Sequence, residues 1–212
     1  MNAKLILLIS IIPILADGDI VFTPFSGDLT PENRNEYILD INDDESPDFR
    51  VYAEQILQMR SVKITPLNSN EILFDNEFLP DVYAATASDT ISQDDPIGTT
   101  SWHSREGVLS WSDIVFPEGL LVSGQFLETN AYVGVCFKID SNTHYGWIGI
   151  DNPTSQPGGT ITGFAYETNP NTGIIAGAIP EPGTVALFSI GSIGLYLVRK
   201  KKNNRTNHST LR

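Results

Sequence analysis

The sequence predicts an all-β protein built around an antiparallel β-sandwich of jelly-roll or lectin-like type. Three observations lead to this fold class: many short β-type runs are separated by Gly, Pro, Asn and Asp, one run alternates strictly, and helical periodicity is scarce. The chain has 212 residues, so one domain with a proper core remains after a segment at each end is set aside.

The clearest predicted strand is Ala131–Ile139, in which two kinds of residue alternate. One face carries Val133, Val135, Phe137 and Ile139, and the other carries Tyr132, Gly134, Cys136 and Lys138. A period of two is typical of a strand with one buried face, and we expect the first face to be buried. Cys136 is the only cysteine in the sequence, so no intramolecular disulfide is expected, and its place in a strand predicts a buried, unreactive thiol.

The residues after this strand predict a meander. Tyr145–Ile150 can pair back across Asp140–His144, and Thr160–Thr168 continues after a Pro-Gly-Gly turn at 157–159. Further strands are expected at Asp19–Phe22, Tyr37–Ile41, Phe49–Tyr52, Ser61–Thr65, Gly107–Trp111 and Gly124–Leu127. A helical turn or two is expected at most, in Val51–Gln58 or Glu71–Phe78.

Charge is distributed unevenly along the chain. All 26 carboxylates lie between Asp17 and Val198, where only six basic residues occur, so this part has a balance of −20. The six are Arg34, Arg50, Arg60, Lys63, Arg105 and Lys138. Such a field repels nucleic acid phosphates and anionic lipid headgroups, and the sequence therefore argues against nucleic acid binding and against peripheral membrane binding by the domain.

Residues 1–16 have the three-part plan of a cleavable secretory signal peptide. Lys4 supplies a positive charge, Leu5–Leu15 is an eleven-residue apolar run, and Ala16 precedes the acidic Asp17. The run is too short for an ordinary membrane span. We therefore expect cleavage after Ala16 by signal peptidase, and the alternative is a buried N-terminal strand.

The other end combines a proline-rich segment, an apolar run and a basic cluster. The proline-rich segment consists of Pro180, Glu181, Pro182, Gly183 and Thr184. Its prolines and glycine keep it extended and accessible to an enzyme. The fourteen uncharged residues Val185–Val198 form a helix of about 21 Å, a marginal transmembrane span against a hydrocarbon core of about 30 Å. The basic cluster that follows holds its own end in the cytoplasm and consists of Arg199, Lys200, Lys201 and Lys202.

This order of parts resembles the PEP-CTERM sorting signal of Gram-negative bacteria, which the integral membrane enzyme exosortase recognises and cuts. By that resemblance residues 178–202 are the sorting signal, with the motif at 180–184, the span at 185–198 and the stop at 199–202. The family implies export through the inner membrane, a transient anchor there, and a final place at the cell surface or in extracellular polymeric substance, with polysaccharide as a candidate partner. The tail 203–212, predicted to be cytoplasmic, is longer than is usual in this family.

Two further stretches resemble a recurring extracellular domain of PEP-CTERM proteins. They are Tyr145–Ile148 and Ile161–Glu167, and the second leads through Gly173–Gly177 into the motif. This resemblance implies no activity. It does imply that an ectodomain of residues 17–177 ends where the tail begins.

The acidic stretch 40–48 is the one candidate metal site in the sequence. The residues with the alternate oxygen spacing by which tight loops wrap Ca²⁺ are Asp40, Asn42, Asp44 and Asp48. Glu45 stands where such loops have a glycine, and Val51 stands where an EF-hand has its glutamate. Calcium is thus the only cofactor that the sequence suggests, and a plain solvated turn is the alternative.

The sequence contains no zinc spacing, phosphate loop, nucleophile elbow or dinucleotide fingerprint, which favours a protein without catalytic activity. Glycoside hydrolysis stays open, because paired carboxylates are neighbours in space and a sequence does not show them. Five aromatic residues either fill the core or line a sugar-binding face: Trp102, Trp111, Tyr132, Tyr145 and Trp147. We therefore expect an exported surface or matrix protein, with a carbohydrate-binding sandwich as the alternative and a hydrolase after it.

Overall fold

The computed structural model describes residues 20–75, 81–87, 89–93, 100–115, 117 and 119–180. Over these residues all paired strands are antiparallel and no helix occurs, so the all-β, antiparallel class is confirmed. The predicted signal peptide 1–16 and the predicted span 185–198 lie outside the described residues. The chain divides into two compact units, Met1–Ala178 and Ile179–Arg212, and the strands described below belong to the first.

Fourteen strands are present in the described residues. In chain order they are β1 (Ile20–Asp28), β2 (Glu36–Leu39), β3 (Phe49–Ile56), β4 (Met59–Pro66), β5 (Glu71–Phe74), β6 (Ala84–Ala85), β7 (Thr90–Ile91), β8 (Ser101–His103), β9 (Gly107–Val115), β10 (Gly119–Ser123), β11 (Thr129–Ile139), β12 (Asn142–Asn152), β13 (Thr160–Glu167) and β14 (Ile174–Ile175). Sheet A has the order β1-β13-β12-β11-β5-β8, and β6 also pairs with β11. Sheet B has the order β10-β9-β4-β3-β2, and β14 and β7 form a small ladder of their own.

The predicted meander is confirmed as β11-β12-β13, and its first turn is tighter than expected. β11 pairs with β12 over its whole length, from Thr129 opposite Asn152 to Ile139 opposite Asn142. Only Asp140 and Ser141 remain between these strands, with φ values of 48° and 69°. Two left-handed residues in succession match the right-handed twist of a hairpin, so the residues predicted to complete a longer loop extend β12.

One predicted strand is wrong. Gly124–Leu127 is a bend, and the strand of this region, β10, precedes it. The N–H of Phe126 donates to the carbonyl oxygen of Leu109 at 3.2 Å, and the Phe126 ring is 1% exposed. The bend thus places an aromatic side chain in the core, which alternation along a sequence does not show.

No helix occurs in the described parts of Val51–Gln58 and Glu71–Phe78, where a turn or two was expected at most, because Val51–Ile56 lies in β3 and Glu71–Phe74 forms β5. In β3 the side chains of Val51 and Ala53 are buried in the core. The remaining predicted strands each overlap an observed strand, and most of the observed strands are longer.

Both sheets contribute to one hydrophobic core. Sheet B provides Leu39, Phe49, Val51, Ala53, Val62, Ile64 and Leu109, and sheet A provides Ile72, Phe74, Val133, Val135, Phe137, Ile148, Ile150, Ile161 and Phe164. The face of β11 that was expected to be buried therefore lies in this core. Burying these side chains is the main favourable contribution to folding, at about 1.5–3 kcal/mol for each large one.

The opposite face of sheet A is covered as well, by a second cluster of apolar side chains. Its buried members are Ala85, Ile91, Cys136, Tyr145, Trp147, Ala165, Ile174 and Ala176. Cys136 is thus buried, as predicted, and desolvation raises the pKa of its thiol to about 11, which keeps it protonated. Sheet A consequently has apolar side chains on both faces. A sheet with one solvated face would instead show a regular alternation of apolar and polar residues along its strands.

Candidate functional site

The last five residues of the first unit, Ile174–Ala178, are an integral part of this second cluster. We call them the strap. Ile174 and Ala176 are 2% and 1% exposed. Ile174 pairs with Ile91 in the β14-β7 ladder, and the N–H of Ala176 donates to the carbonyl oxygen of Asp89 at 2.8 Å. The chain is therefore held in the fold up to its entry into the proline-rich segment.

The aromatic side chains of Tyr132 and Trp147, which we call the anchor, contact the end of the strap. The indole Nε1–H of Trp147 donates to the carbonyl oxygen of Ala178 at 3.2 Å. Gly177 has a φ of 76°, and a Cβ at this position would lie 2.6 Å from the hydroxyl oxygen of Tyr132, so the close approach requires glycine. The rings of Tyr132 and Trp147 meet edge to face, with centroids 5.1 Å apart.

Of the predicted recognition motif, the structure describes Pro180 alone, which is exposed. Glu181, Pro182, Gly183 and Thr184 lie outside the described residues, and so do the basic cluster 199–202 and the tail 203–212. Among the described residues, no helix has the length and apolar character to cross a membrane. The roles of these segments stay predictions.

The folded unit, which ends at Ala178, is followed in the sequence by the Pro-Glu-Pro segment 180–182. The family model of the PEP-CTERM protein-sorting motif matches residues 178–202, so the chain carries a PEP-CTERM sorting motif. This confirms the predicted family. The motif implies export, a membrane-associated sorting signal and processing by exosortase. None of the curated proteins and none of the solved structures matches the chain.

The acidic loop lies between β2 and β3, and several of its carboxylate oxygens have partners within the loop, whereas Oδ1 of Asn42 is buried without a hydrogen-bond partner among the described residues. Asp40 accepts the backbone N–H of Asp44 at 3.2 Å and that of Glu45 at 2.8 Å. The side-chain amide of Asn42 donates to Asp44 at 2.9 Å. Glu45 has a φ of 67°, so it takes the left-handed conformation that glycine supplies in metal-binding loops.

Asp48, the fourth predicted ligand, is buried, and its hydrogen-bond partners differ from those of Asp40 and Asp44. Its carboxylate accepts the N–H of Ile41 and the side-chain amide of Asn70, both at 2.8 Å. Desolvation raises the pKa of Asp48, and the charges of Asp40 and Asp44 raise it further, against the opposing effect of the two hydrogen bonds. The structure therefore brings Asp40, Asn42 and Asp44 into one turn and ties Asp48 to the core beneath it.

We expect the Asp48→Asn variant to gain stability relative to the unchanged protein as the pH rises. A group whose pKa is raised by folding stabilises the fold fully below its unfolded pKa, about 3.9 for Asp, and this contribution is lost as the pH rises through the folded pKa. Asparagine does not titrate, so the difference in unfolding free energy should move in favour of the variant between about pH 3 and about pH 7. Urea unfolding across this range measures it, and a constant difference would contradict the expectation.

Within the described part of the chain, no group of three or more His, Cys, Asp and Glu side chains is placed to hold a metal ion. The hydrogen bonds above use some of the acceptor sites of Asp40 and Asp48. Calcium binding stays a prediction, with a dissociation constant of roughly 0.1–1 mM, as in extracellular modules. Calorimetric titration with CaCl₂ tests it: Asp44→Asn should weaken binding, Asp43→Asn should not, and absence of heat with the unchanged protein would end the prediction.

The structure brings together an acid pair that the sequence did not single out. Nζ of Lys63 lies 2.6 Å from Oε1 of Glu54 and 3.4 Å from Oε1 of Glu106, so the sum of these distances, 6.0 Å, limits the separation of the two oxygens. The hydroxyl of Tyr52 also donates to Glu106. This spacing is compatible with glycoside hydrolysis, which requires one acid with a raised pKa. The hydrogen bond from Lys63 instead lowers the pKa of Glu54.

The five aromatic residues do not form one platform. Tyr145 and Trp147 are buried in the second cluster, and Trp102 and Tyr132 pack against it while partly buried. Trp111 lies on β9 in sheet B and is half-buried. This distribution supports core filling as their main role.

Proposed function

We propose that the chain is the precursor of a non-catalytic surface or extracellular matrix protein. Signal peptidase removes residues 1–16 after export through the inner membrane. The predicted span 185–198 then holds the precursor in that membrane, with the basic stop 199–202 and the tail 203–212 in the cytoplasm. Exosortase cuts near Pro180–Pro182. The observation that carries this proposal is the sorting motif, whose match begins at Ala178, the last residue of the folded unit.

We propose further that residues 17–177 form a β-sandwich of jelly-roll or lectin-like type. Its support is the core to which both sheets contribute. Residues 17–177 contain 25 carboxylates and six basic residues, a balance of −19, which keeps the released domain soluble and favours cations or basic groups as counterparts. The destination is the cell surface or the extracellular polymeric substance, where polysaccharide is the candidate partner.

We favour a structural role over carbohydrate binding and over glycoside hydrolysis. The reason is the placement of the side chains that these two activities would require. Glu54 and Glu106 share the ammonium group of Lys63, and the hydrogen bond from Lys63 lowers the pKa of Glu54, whereas a general acid needs a raised pKa. Two of the five aromatics that would stack on sugar rings are 2% and 3% exposed. The acid pair and the two buried aromatic side chains are therefore assigned to stabilising the fold.

Mass spectrometry of the mature protein from its native host tests the proposal. We expect a chain that begins at Asp17 and has lost the residues after the motif. The Glu181→Ala variant should accumulate with its C-terminal segment intact, because exosortase reads the motif. The matched control is Glu36→Ala, which removes a surface carboxylate paired with Arg50 at 3.1 Å and should be processed normally. Normal processing of Glu181→Ala would contradict the proposal.

A further inference from the structure

The end of the folded unit and the beginning of the sorting signal coincide at one residue. Ala178 is the first residue matched by the sorting motif, and its carbonyl oxygen accepts the Trp147 indole N–H. Only Ile179, which is 52% exposed, separates Ala178 from Pro180. Because each residue spans at most about 3.6 Å, the chain has roughly 7 Å of reach between its last held residue and the motif.

Peptide bonds within the strap are inaccessible to a protease that binds its substrate as an extended chain. The side chains on either side of them, Ile174 and Ala176, are buried, and the N–H of Ala178 donates to the carbonyl oxygen of Ile175 at 3.0 Å. A protease must straighten several residues to bind them, and here that would open the strap and uncover Trp147. The bond between Ile179 and Pro180 carries no such cost, because both residues are exposed.

We propose that Tyr132 and Trp147 are positioning residues for the processing reaction. By holding the strap through Ala178 they direct exosortase to peptide bonds beyond Ala178, and the strap remains as the final segment of the mature fold. This inference rests on the proposed function, since it concerns the same cut.

The contacts of the anchor explain why these two residues control the strap. Trp147 is 3% exposed and packs against Phe22, with ring centroids 5.8 Å apart, so its indole N–H is aimed by the core. Tyr132 fills the space that a side chain at position 177 would need. The β14-β7 ladder is only two residues long and ends at Ile175, so strand pairing does not reach Gly177 and Ala178, where the anchor makes its contacts.

The test compares the C-terminal ends of the full-length protein and its variants after processing in the native host, read by mass spectrometry. The unchanged protein should give one end, at Ile179 or later. Trp147→Phe keeps the ring and removes the N–H donor, and Gly177→Ala forces the strap away from Tyr132. Both should yield additional ends within Ile174–Ala178. Trp111→Phe, a tryptophan of sheet B, is the matched control and should give the single end.

A second readout is hydrogen exchange of the unprocessed precursor. We expect the Ala178 amide to exchange about fivefold faster in Trp147→Phe, from the loss of one hydrogen bond. Unchanged ends in both anchor variants, or an unchanged protein already cut before Ala178, would overturn the inference while Glu181→Ala remains blocked. Normal processing of Glu181→Ala would instead mark failure of the proposed function.

Discussion

Replacing Gly124 by alanine should be among the most destabilising single changes in the protein. Gly124 follows β10, has a φ of 125°, and a Cβ there would lie 2.4 Å from the carbonyl oxygen of Leu109 and 2.5 Å from the Cα of Ser110. Both are backbone atoms of a central strand, so neither can move alone. We expect a loss of about 3 kcal/mol or more in unfolding free energy, enough to unfold a marginal domain.

Gly119, at the other end of β10, provides the matched control. Its φ is 95°, but a Cβ there meets nothing within 4 Å. Gly119→Ala should therefore show only the conformational cost of a left-handed residue, about 1–2 kcal/mol. Urea unfolding of both variants separates the two costs. Equal losses would mean that the bend at 124–127 does not approach β9 as closely as described.

Truncating either of two adjacent residues of β12 should be nearly as damaging. Ile148 is fully buried in the core shared by the two sheets, and Trp147 is 3% exposed in the cluster on the opposite face. We expect Ile148→Ala to cost about 2–5 kcal/mol and Trp147→Ala about 3–5 kcal/mol, because each leaves a cavity. Thermal or urea unfolding of the purified domain gives both values.

The comparison of these two variants tests whether sheet A is covered on both faces. In a sheet with one solvent-exposed face, one of two adjacent residues would be exposed, and truncating it to alanine would lower the unfolding free energy only slightly. Thr162→Ala, at an exposed position of β13, is the control and should cost less than about 1 kcal/mol. A cost for Trp147→Ala as small as that of Thr162→Ala would show that the second cluster contributes little.

Much of the fold was accessible from the sequence, because its signals are local. The alternation in Ala131–Ile139 and the turn residues at 157–159 are enough to predict β11 and its meander, since each depends on residues within one hairpin. The bend at Gly124–Leu127 was missed for the opposite reason. Its conformation is set by Leu109, a residue of another strand, and apolar residues in a bend resemble a short strand when read alone.

The candidate sites divide in the same way. The sorting signal is a linear address of prolines, apolar residues and basic residues, so its recognition required no contact in space. The partners of Asp48 in Ile41 and Asn70, and those of Lys63 in Glu54 and Glu106, became visible only after folding. The spacing of residues in a loop predicts which oxygens are near one another. It does not predict which backbone amides donate hydrogen bonds to those oxygens.

By itself, the sequence determined the all-β class, the acidic character of the domain and the sorting signal at 178–202, because composition, period and linear motifs are properties of neighbouring residues. Only the tertiary structure decided that sheet A is buried on both faces and that Tyr132 and Trp147 hold the chain at Ala178. These features join residues that lie about 30 or more positions apart, and such contacts arise only when the packed core brings distant segments together.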